Sequence, residues 1–473
     1  MLSVPIVDRE VFRRYAGRSL PRHVSYPMPT WWRDIGADEA AAIRAESTRA
    51  IPAPALSVYL HLPFCEALCK FCACNRTIMR KAAKDADQRT EAYVVALEDE
   101  IQRLGASVGT GRPVRQIHWG GGTPTYLSCA HIERIQKTLT AAFSVAEGAE
   151  IAIEIDPRVT SNDQLELLRR LGFDRVSLGV QDFDERVQKH IHRIQPYEMV
   201  KQCVDVCREI GFASVNFDLI YGMPYQTLET VADMIDRTIA LSPDRIAYYH
   251  YAQIPDKIAN QRGIHHDQMP DSDTKLTMFL MAVEAFTAGG YEFVGLDHFA
   301  KPDERLAQAV RDGSINRNFQ GMTTEAELDL IGMGASSISQ FTRFAYLQNV
   351  RDPDVYVQHM NADADPVIRG TRLSRDDCIR QTVINHLYCY AAIDPDRIEK
   401  RFDINFGAYF SDELERLKHL EADGLVEVKP DGRIELTWPL GRVLMRNVAA
   451  VFDAYLHRDA YRLGERHAFS TSA

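Results

Sequence analysis

No apolar run in this 473-residue chain is long enough to span a bilayer, and the N-terminus, Met1-Leu-Ser-Val-Pro-Ile, has no basic stretch leading into an apolar core. A membrane span is not expected, and a cytoplasmic protein is. Positive charge is also short: 55 Lys and Arg stand against 66 Asp and Glu, a net charge of -11. That balance speaks against a nucleic-acid surface, and any anionic ligand must meet a local basic cluster instead of the field of the whole chain. A disulfide framework is missing too. Of the nine cysteines, Cys129, Cys203, Cys207, Cys378 and Cys389 are scattered, and Cys203 and Cys207, one helical turn apart, read as small core residues. The other four crowd between positions 65 and 74.

A chain of this length exceeds one ordinary core, so a large domain with smaller companions is expected. Residues 1–54 are polar and broken by prolines, which predicts an N-terminal arm. From 55 to about 250, β-rich runs alternate with helical patterns, the signature of a parallel sheet. The predicted strands are Leu56–Leu62, Arg115–Trp119, Ile151–Asp156, Asp174–Val180, Ser214–Ile220 and Arg245–Tyr251. Between them, helices such as the one with Tyr93, Leu97, Ile101 and Leu104 on one stripe would cover the sheet. Six such units predict an α/β fold, a (β/α)6 partial TIM-like barrel over 55–300, open along one side where a large flat substrate could enter. Residues 301–368 are read as an extension and connection. From 369 to 473 the texture turns mainly helical and winged-helix-like: Ser411 is placed to cap a helix, and Pro430-Asp431-Gly432 to turn a hairpin. This segment mixes acidic and basic residues without a basic stripe, so it reads as a lid or structural domain and not as a DNA reader.

The four clustered cysteines, Cys65, Cys69, Cys72 and Cys74, follow the first strand directly with spacing C-x3-C-x2-C-x-C. Three thiolates in such a loop can wrap an iron-sulfur cubane and leave its fourth iron open. A zinc knuckle is the competing reading, but zinc usually pairs two Cys or Cys/His knuckles, and no second pair follows at the needed distance. The ends of the next strands carry further polar motifs: Gly120-Gly121-Gly122-Thr123, Glu154-Ile155-Asp156-Pro157-Arg158, Gly179-Val180-Gln181-Asp182 and Asp218-Leu219-Ile220-Tyr221. Strand C-terminal ends are where barrel chemistry collects, and a bare glycine backbone admits close approach of an amino acid's charged ends.

Pro63-Phe64-Cys65-x3-Cys69-x2-Cys72 resembles the cluster loop of the radical S-adenosylmethionine enzymes. The extension Phe71-Cys72-Ala73-Cys74-Asn75 and the strand-end motifs, in the same order, resemble the oxygen-independent coproporphyrinogen III oxidase family. Pro21-Arg22-His23-Val24-Ser25-Tyr26-Pro27, Gly295-Leu-Asp-His298-Phe-Ala300, Asn316-Arg317-Asn318-Phe319-Gln320-Gly321, Arg369-Gly370-x2-Leu373-x2-Asp376-Asp377-x2-Arg380 and Arg446-Asn447 extend the likeness over nearly the whole chain. The chain departs from the family at His23-Val24, where Tyr-Thr is usual, at Met28 for Thr, and at Met322 for Tyr. The resemblance implies a 4Fe-4S cluster on Cys65, Cys69 and Cys72, one or two molecules of S-adenosylmethionine, and a 5'-deoxyadenosyl radical that removes hydrogen from propionates of coproporphyrinogen III. Two decarboxylations then give protoporphyrinogen IX, with an outside electron donor for the cluster and an electron acceptor. It implies cofactor contacts at Tyr59, Gly121, Glu154, Gln181, Arg193, Asp218, Ala252 and Ile338. Phe71, Gly122 and Thr123 would face a second cofactor molecule, and Cys74 would be a thiol the cluster need not use. Arg22, Tyr26, His298 and Arg317 are candidates near the substrate, with Arg22 or Arg317 suited to propionate. A monomer is expected.

Two rivals follow from the same resemblance: a non-enzymatic haem carrier, which generally lacks the fourth cysteine and the Ser-Tyr-Pro arm found here, and a related radical enzyme acting on haem or transferring methyl groups, which gains from His23, Val24 and Met322.

Overall fold

The computed structural model describes residues 6–50 and 52–457. These fall into two compact units, one formed by the described residues of 31–218 with 327–372, the other by 6–30, 219–326 and 373–457.

The first unit is built on parallel strands that alternate with helices. Leu56–Leu62 pairs in parallel with Pro113–Gly121, which pairs with Ser144–Ile155, which pairs with Arg175–Gln181, and Ser214–Tyr221 follows in the order. These match the expected α/β class and, within a few residues at the ends, the expected strands. Leu56, Val58, Leu60 and Leu62, alternate residues on one face of their strand, are fully buried, as are Trp119 and Ile153, while the polar Ser57, Tyr59 and His61 occupy the other face. Helix Ala86–Leu104 buries the predicted stripe of Tyr93, Leu97, Ile101 and Leu104.

Two features of this unit depart from the sequence reading. Ser144–Ile155 begins seven residues before the predicted start, its register against Pro113–Gly121 shifting between Val114 and Gln116. A further strand, Asp329–Met333, pairs in parallel with the other edge of Leu56–Leu62 and continues antiparallel through Ile338–Phe341, Ala345–Asn349, Val367–Arg372 and Arg33–Asp34.

In the second unit, Arg245–His250 pairs antiparallel with His298–Ala300, itself paired with Glu292–Gly295. Helix Arg9–Ala16 is capped by Asp8, whose carboxylate accepts from the Glu10 and Val11 amides, and it buries Phe12 and Tyr15. The N-terminal segment is therefore packed through its aromatic residues. Helix Ser411–Ala422 is followed by the predicted hairpin, Val426–Val428 with Ile434–Leu436, and Ala392–Ile393 completes a three-stranded antiparallel sheet. Ser411 is the first helical residue and not the cap; Phe410 holds the cap position without a side-chain hydrogen bond. No helix among the described residues is long and apolar enough to cross a membrane.

Candidate active site

The cysteine loop hangs from the end of strand Leu56–Leu62. Its two ends are tied by a short parallel ladder, Phe64–Cys65 against Thr77–Ile78, with the Thr77 amide donating to the Pro63 carbonyl at 2.7 Å and Met79 to Cys65 at 2.9 Å. The glycine run is fastened to the same segment, since the Gly122 amide donates to Leu62 at 2.8 Å and Thr123 to Phe64 at 2.9 Å. A Cβ on Gly120 would lie 2.8 Å from the Glu154 carboxylate, one on Gly121 2.7 Å from the His61 ring, and one on Gly122 2.6 Å from the Pro63 carbonyl. Gly121 also has a φ of 117°. The run is glycine because the protein itself fills the space on all three sides.

Around the loop stands a layer of polar side chains from successive strands. His61 is buried and bridges two groups, with Nε2 2.9 Å from the Asn75 carbonyl and Nδ1 3.1 Å from the Tyr59 hydroxyl. A carbonyl partner requires the proton on Nε2, so Nδ1 accepts from Tyr59. Burial keeps this ring neutral and pushes its pKa down to about 4. Tyr59 stacks on His118, whose Nε2 donates to Glu154 at 3.2 Å, and the Gly121 amide donates to the other Glu154 oxygen, also at 3.2 Å. Burial alone would raise the Glu154 pKa, but these donors hold it below the usual carboxylate value.

A second group centres on Asp156. Arg158 donates to it through Nε and Nη2, the shorter bond 2.6 Å, and Arg193 donates through Nη1 at 3.0 Å. The two guanidiniums also reach the Cys69 sulfur, at 3.6 and 3.7 Å. Despite burial, the arginines keep Asp156 below the ordinary carboxylate range. Arg193 is itself fixed by the Gly179 carbonyl at 2.6 Å. Gln181 adopts a left-handed φ of 68° at the end of its strand, and Asp218 accepts from Ser177 and Asn216, each at 3.1 Å.

The thiols differ from one another. Cys65 lies 3.5 Å from the Thr123 hydroxyl, and burial pushes its pKa up to about 11. Cys72 is pulled down chiefly by a hydrogen bond from the Cys74 thiol, which is correspondingly raised. Among the described residues no set of three or more His, Cys, Asp or Glu side chains closes around a single metal ion. Three thiols in one loop without a second Cys or His pair suit a cubane that keeps one iron open better than a closed zinc site. The donor set fits: three soft thiols in one loop, with two arginine forks that can donate to thiolate or sulfide.

The first unit contains Tyr59, the three cysteines, Phe71, Gly121, Gly122, Thr123, Glu154, Gln181, Arg193, Asp218 and Ile338; of these, hydrogen bonds or close contacts tie Tyr59, Gly121 and Glu154 to one another through His61 and His118, Cys65 to Thr123, and Arg193 to Cys69. Ala252 belongs to the second unit, as do the candidates Arg22, Tyr26, His298 and Arg317. His298 Nδ1 is 2.6 Å from Asp297. Tyr26 is fully buried, edge-on to Tyr455, and its hydroxyl accepts from the Ala454 amide at 3.0 Å, so it serves packing. Arg317 lies over the Tyr388 ring and donates to the Arg22 and His23 carbonyls. The sequence reading did not single out His61 or His118, and it named Asp156 and Arg158 only within the strand-end motif, without a role. The available signals were the Asp-Pro-Arg that follows Glu154 and two histidines in the last halves of their strands.

Two of the family departures, His23 and Met322, have structural roles. His23 is buried with Nε2 3.0 Å from Asp453 and Nδ1 3.3 Å from the Tyr388 hydroxyl. Met322 belongs to an apolar cluster with Val294, Leu306 and Ile315.

The radical SAM superfamily model matches residues 59–238. Oxygen-independent coproporphyrinogen III oxidase of Escherichia coli is 43% identical over 454 residues, covering 96% of each chain. Those of Synechocystis and Helicobacter pylori are 41% and 37% identical, covering 94% and 98% of this chain and 95% and 98% of their own. The solved structure of the Escherichia coli coproporphyrinogen III oxidase HemN, described as a radical SAM enzyme, superposes with a TM-score of 0.87 at 40% identity, covering 96% of this chain and all of that one. The partial-barrel fold is thereby shared, and the cofactors are a 4Fe-4S cluster and S-adenosylmethionine. This chain belongs to the oxygen-independent coproporphyrinogen III oxidase family of the radical SAM superfamily.

Proposed function

We propose that the protein catalyses the oxidative decarboxylation of two propionate side chains of coproporphyrinogen III to vinyl groups, giving protoporphyrinogen IX. The observation that carries this reading is the near full-length identity to enzymes of that name, combined with the thiol triangle backed by Arg158 and Arg193. Cys65, Cys69 and Cys72 would hold the cluster. When bound and reduced, the cluster with S-adenosylmethionine supplies a 5'-deoxyadenosyl radical. The protein's own work is orientation: Glu154 and Asp218 accept hydrogen bonds from the ammonium or ribose of the cofactor, and the glycine run offers backbone amides and carbonyls beside them. Arg158 and Arg193 neutralise charge at the Cys69 sulfur, while Asp156 fixes both forks. Phe71, Gly122 and Thr123, near the loop, would contact a second S-adenosylmethionine, and Ala252 and Ile338 would contact the first.

A cytoplasmic monomer with a separate electron donor and acceptor fits this chemistry. The rival reading, action on haem or methyl transfer, drew on His23, Val24 and Met322. It loses the support of two of them, since His23 is held by Asp453 and Tyr388 and Met322 is packed in an apolar cluster. Assay of the anaerobic, cluster-loaded and reduced protein for vinyl-bearing porphyrin product tests the proposal. Product is expected with coproporphyrinogen III, and its absence alongside intact cofactor cleavage would point to another substrate.

A further inference from the structure

The second unit holds a small cleft of about 50 Å³ lined by Arg22, Arg446, His250 and Asp297 together with the aromatic Tyr221 and Phe279. Charge is out of balance there. Arg442 adds a third lining guanidinium, Lys275 lies beside His250 at Gly222, and the one carboxylate among the lining residues is Asp297. Asp297 already faces His298 at 2.6 Å and Arg22 at 3.7 Å. Arg446 is 4% exposed, and burial with Arg22 and Arg317 nearby lowers its pKa to about 9. Cations gathered in a buried pocket lose hydration and repel one another, and an anion would offset both costs. In a chain of net charge -11, such a gathering is a local feature with a local cause.

His250 gives a second, independent sign. Its ring is 9% exposed, and its buried Nε2 has no hydrogen-bond partner among the described residues. Burial and the neighbouring Lys275, Arg22 and Arg446 hold it neutral, so it can present an N–H donor without adding charge. A buried donor left unmade is costly, and ligand oxygens are what it lacks.

We propose that this cleft seats a carboxylate of the porphyrinogen, the end of one ring propionate, between the guanidiniums of Arg22 and Arg446 with His250 as a further donor. Tyr221 and Phe279 would take the apolar stem. The identity of the ligand rests on the functional reading above. Arg317 is not part of the lining; its contacts with the Arg22 and His23 carbonyls make it the residue that holds the arm carrying Arg22.

The test uses the full-length, cluster-loaded protein and air-stable coproporphyrin III as a binding probe, read by fluorescence titration, with its tetramethyl ester as control. Wild type should bind the acid and not the ester. Arg22→Gln and His250→Phe should each weaken binding about tenfold to a hundredfold, the worth of a charge-assisted or buried hydrogen bond. Arg22→Lys should fall between, because it keeps the charge and loses the fork. Arg446 also holds the Leu20 and Pro21 carbonyls, so Arg446→Gln is informative only beside a melting curve matching wild type. Equal affinity in wild type, Arg22→Gln and His250→Phe, or equal binding of the ester, would overturn the seat. Binding that behaves as expected without any turnover of coproporphyrinogen III would leave the seat standing and remove the functional reading.

Discussion

At the scale of single residues, the thiols and His61 carry the sharpest expectations. Cys65→Ser, Cys69→Ser and Cys72→Ser should each abolish the visible absorption of the reconstituted cluster, while Cys74→Ser should retain it, because Cys74 meets Cys72 as a hydrogen-bond donor. Full absorption in the three ligand variants would remove the iron-sulfur assignment. His61 predicts a pH effect on stability. Its folded pKa of about 4 lies below the unfolded value of about 6.5, so the unfolded chain binds the extra proton between those pH values, and stability falls as pH drops through that window. The loss amounts to about 3 kcal/mol. Urea unfolding of apoprotein at pH 7 and pH 4.5 should therefore differ less in His61→Asn than in wild type; an equal difference would mean that His61 is not the group responsible. The cysteine spacing stood out in sequence because four thiols fall within ten residues, whereas Glu154 was given its role only through the family resemblance. The joint grip of Arg158 and Arg193 on Asp156 was not legible, since Arg193 lies 37 residues away and meets Asp156 only in the folded chain.

At the scale of elements, the strand Pro113–Gly121 and its glycine run show where pattern reading succeeds and where it stops. Alternating β-rich and helical segments identified the parallel strands because each strand puts a row of apolar residues under a covering helix. Asp329–Met333 carries the same texture, Asp-Leu-Ile-Gly-Met, but it is five residues long and its parallel partner lies some 270 positions earlier, so nothing local marks it. The glycines looked like space left for a cofactor. The structure adds that His61, Glu154 and Pro63 already occupy the positions a side chain would take. Gly121→Ala should accordingly destabilise the protein by about 1–3 kcal/mol, through its left-handed φ and the clash with His61, as well as weaken S-adenosylmethionine binding. A melting temperature equal to wild type would show that the run yields more readily than its contacts imply.

At the scale of the whole molecule, the N-terminal segment is the part that sequence reading understood least. Proline and polarity suggested an arm, yet Phe12, Tyr15 and Tyr26 are buried, and His23 spans Asp453 and Tyr388 within the second unit. Those partners come from the far end of the chain, which no local pattern reveals. Replacing His23 with Ala should cost about 2 kcal/mol by depriving the buried Asp453 of a donor, without altering cluster absorption, since every cluster ligand lies in the other unit. An unchanged unfolding midpoint would mean the arm is held without this pair. The central claim, that the chain turns propionates into vinyl groups by radical chemistry at the cysteine loop, is tested most directly by counting products in one anaerobic sample. Carbon dioxide, 5'-deoxyadenosine and vinyl groups should rise together from coproporphyrinogen III in wild type, and all three should vanish in Cys69→Ser. Vinyl product from Cys69→Ser, or 5'-deoxyadenosine from wild type with no carbon dioxide and no vinyl group, would contradict it.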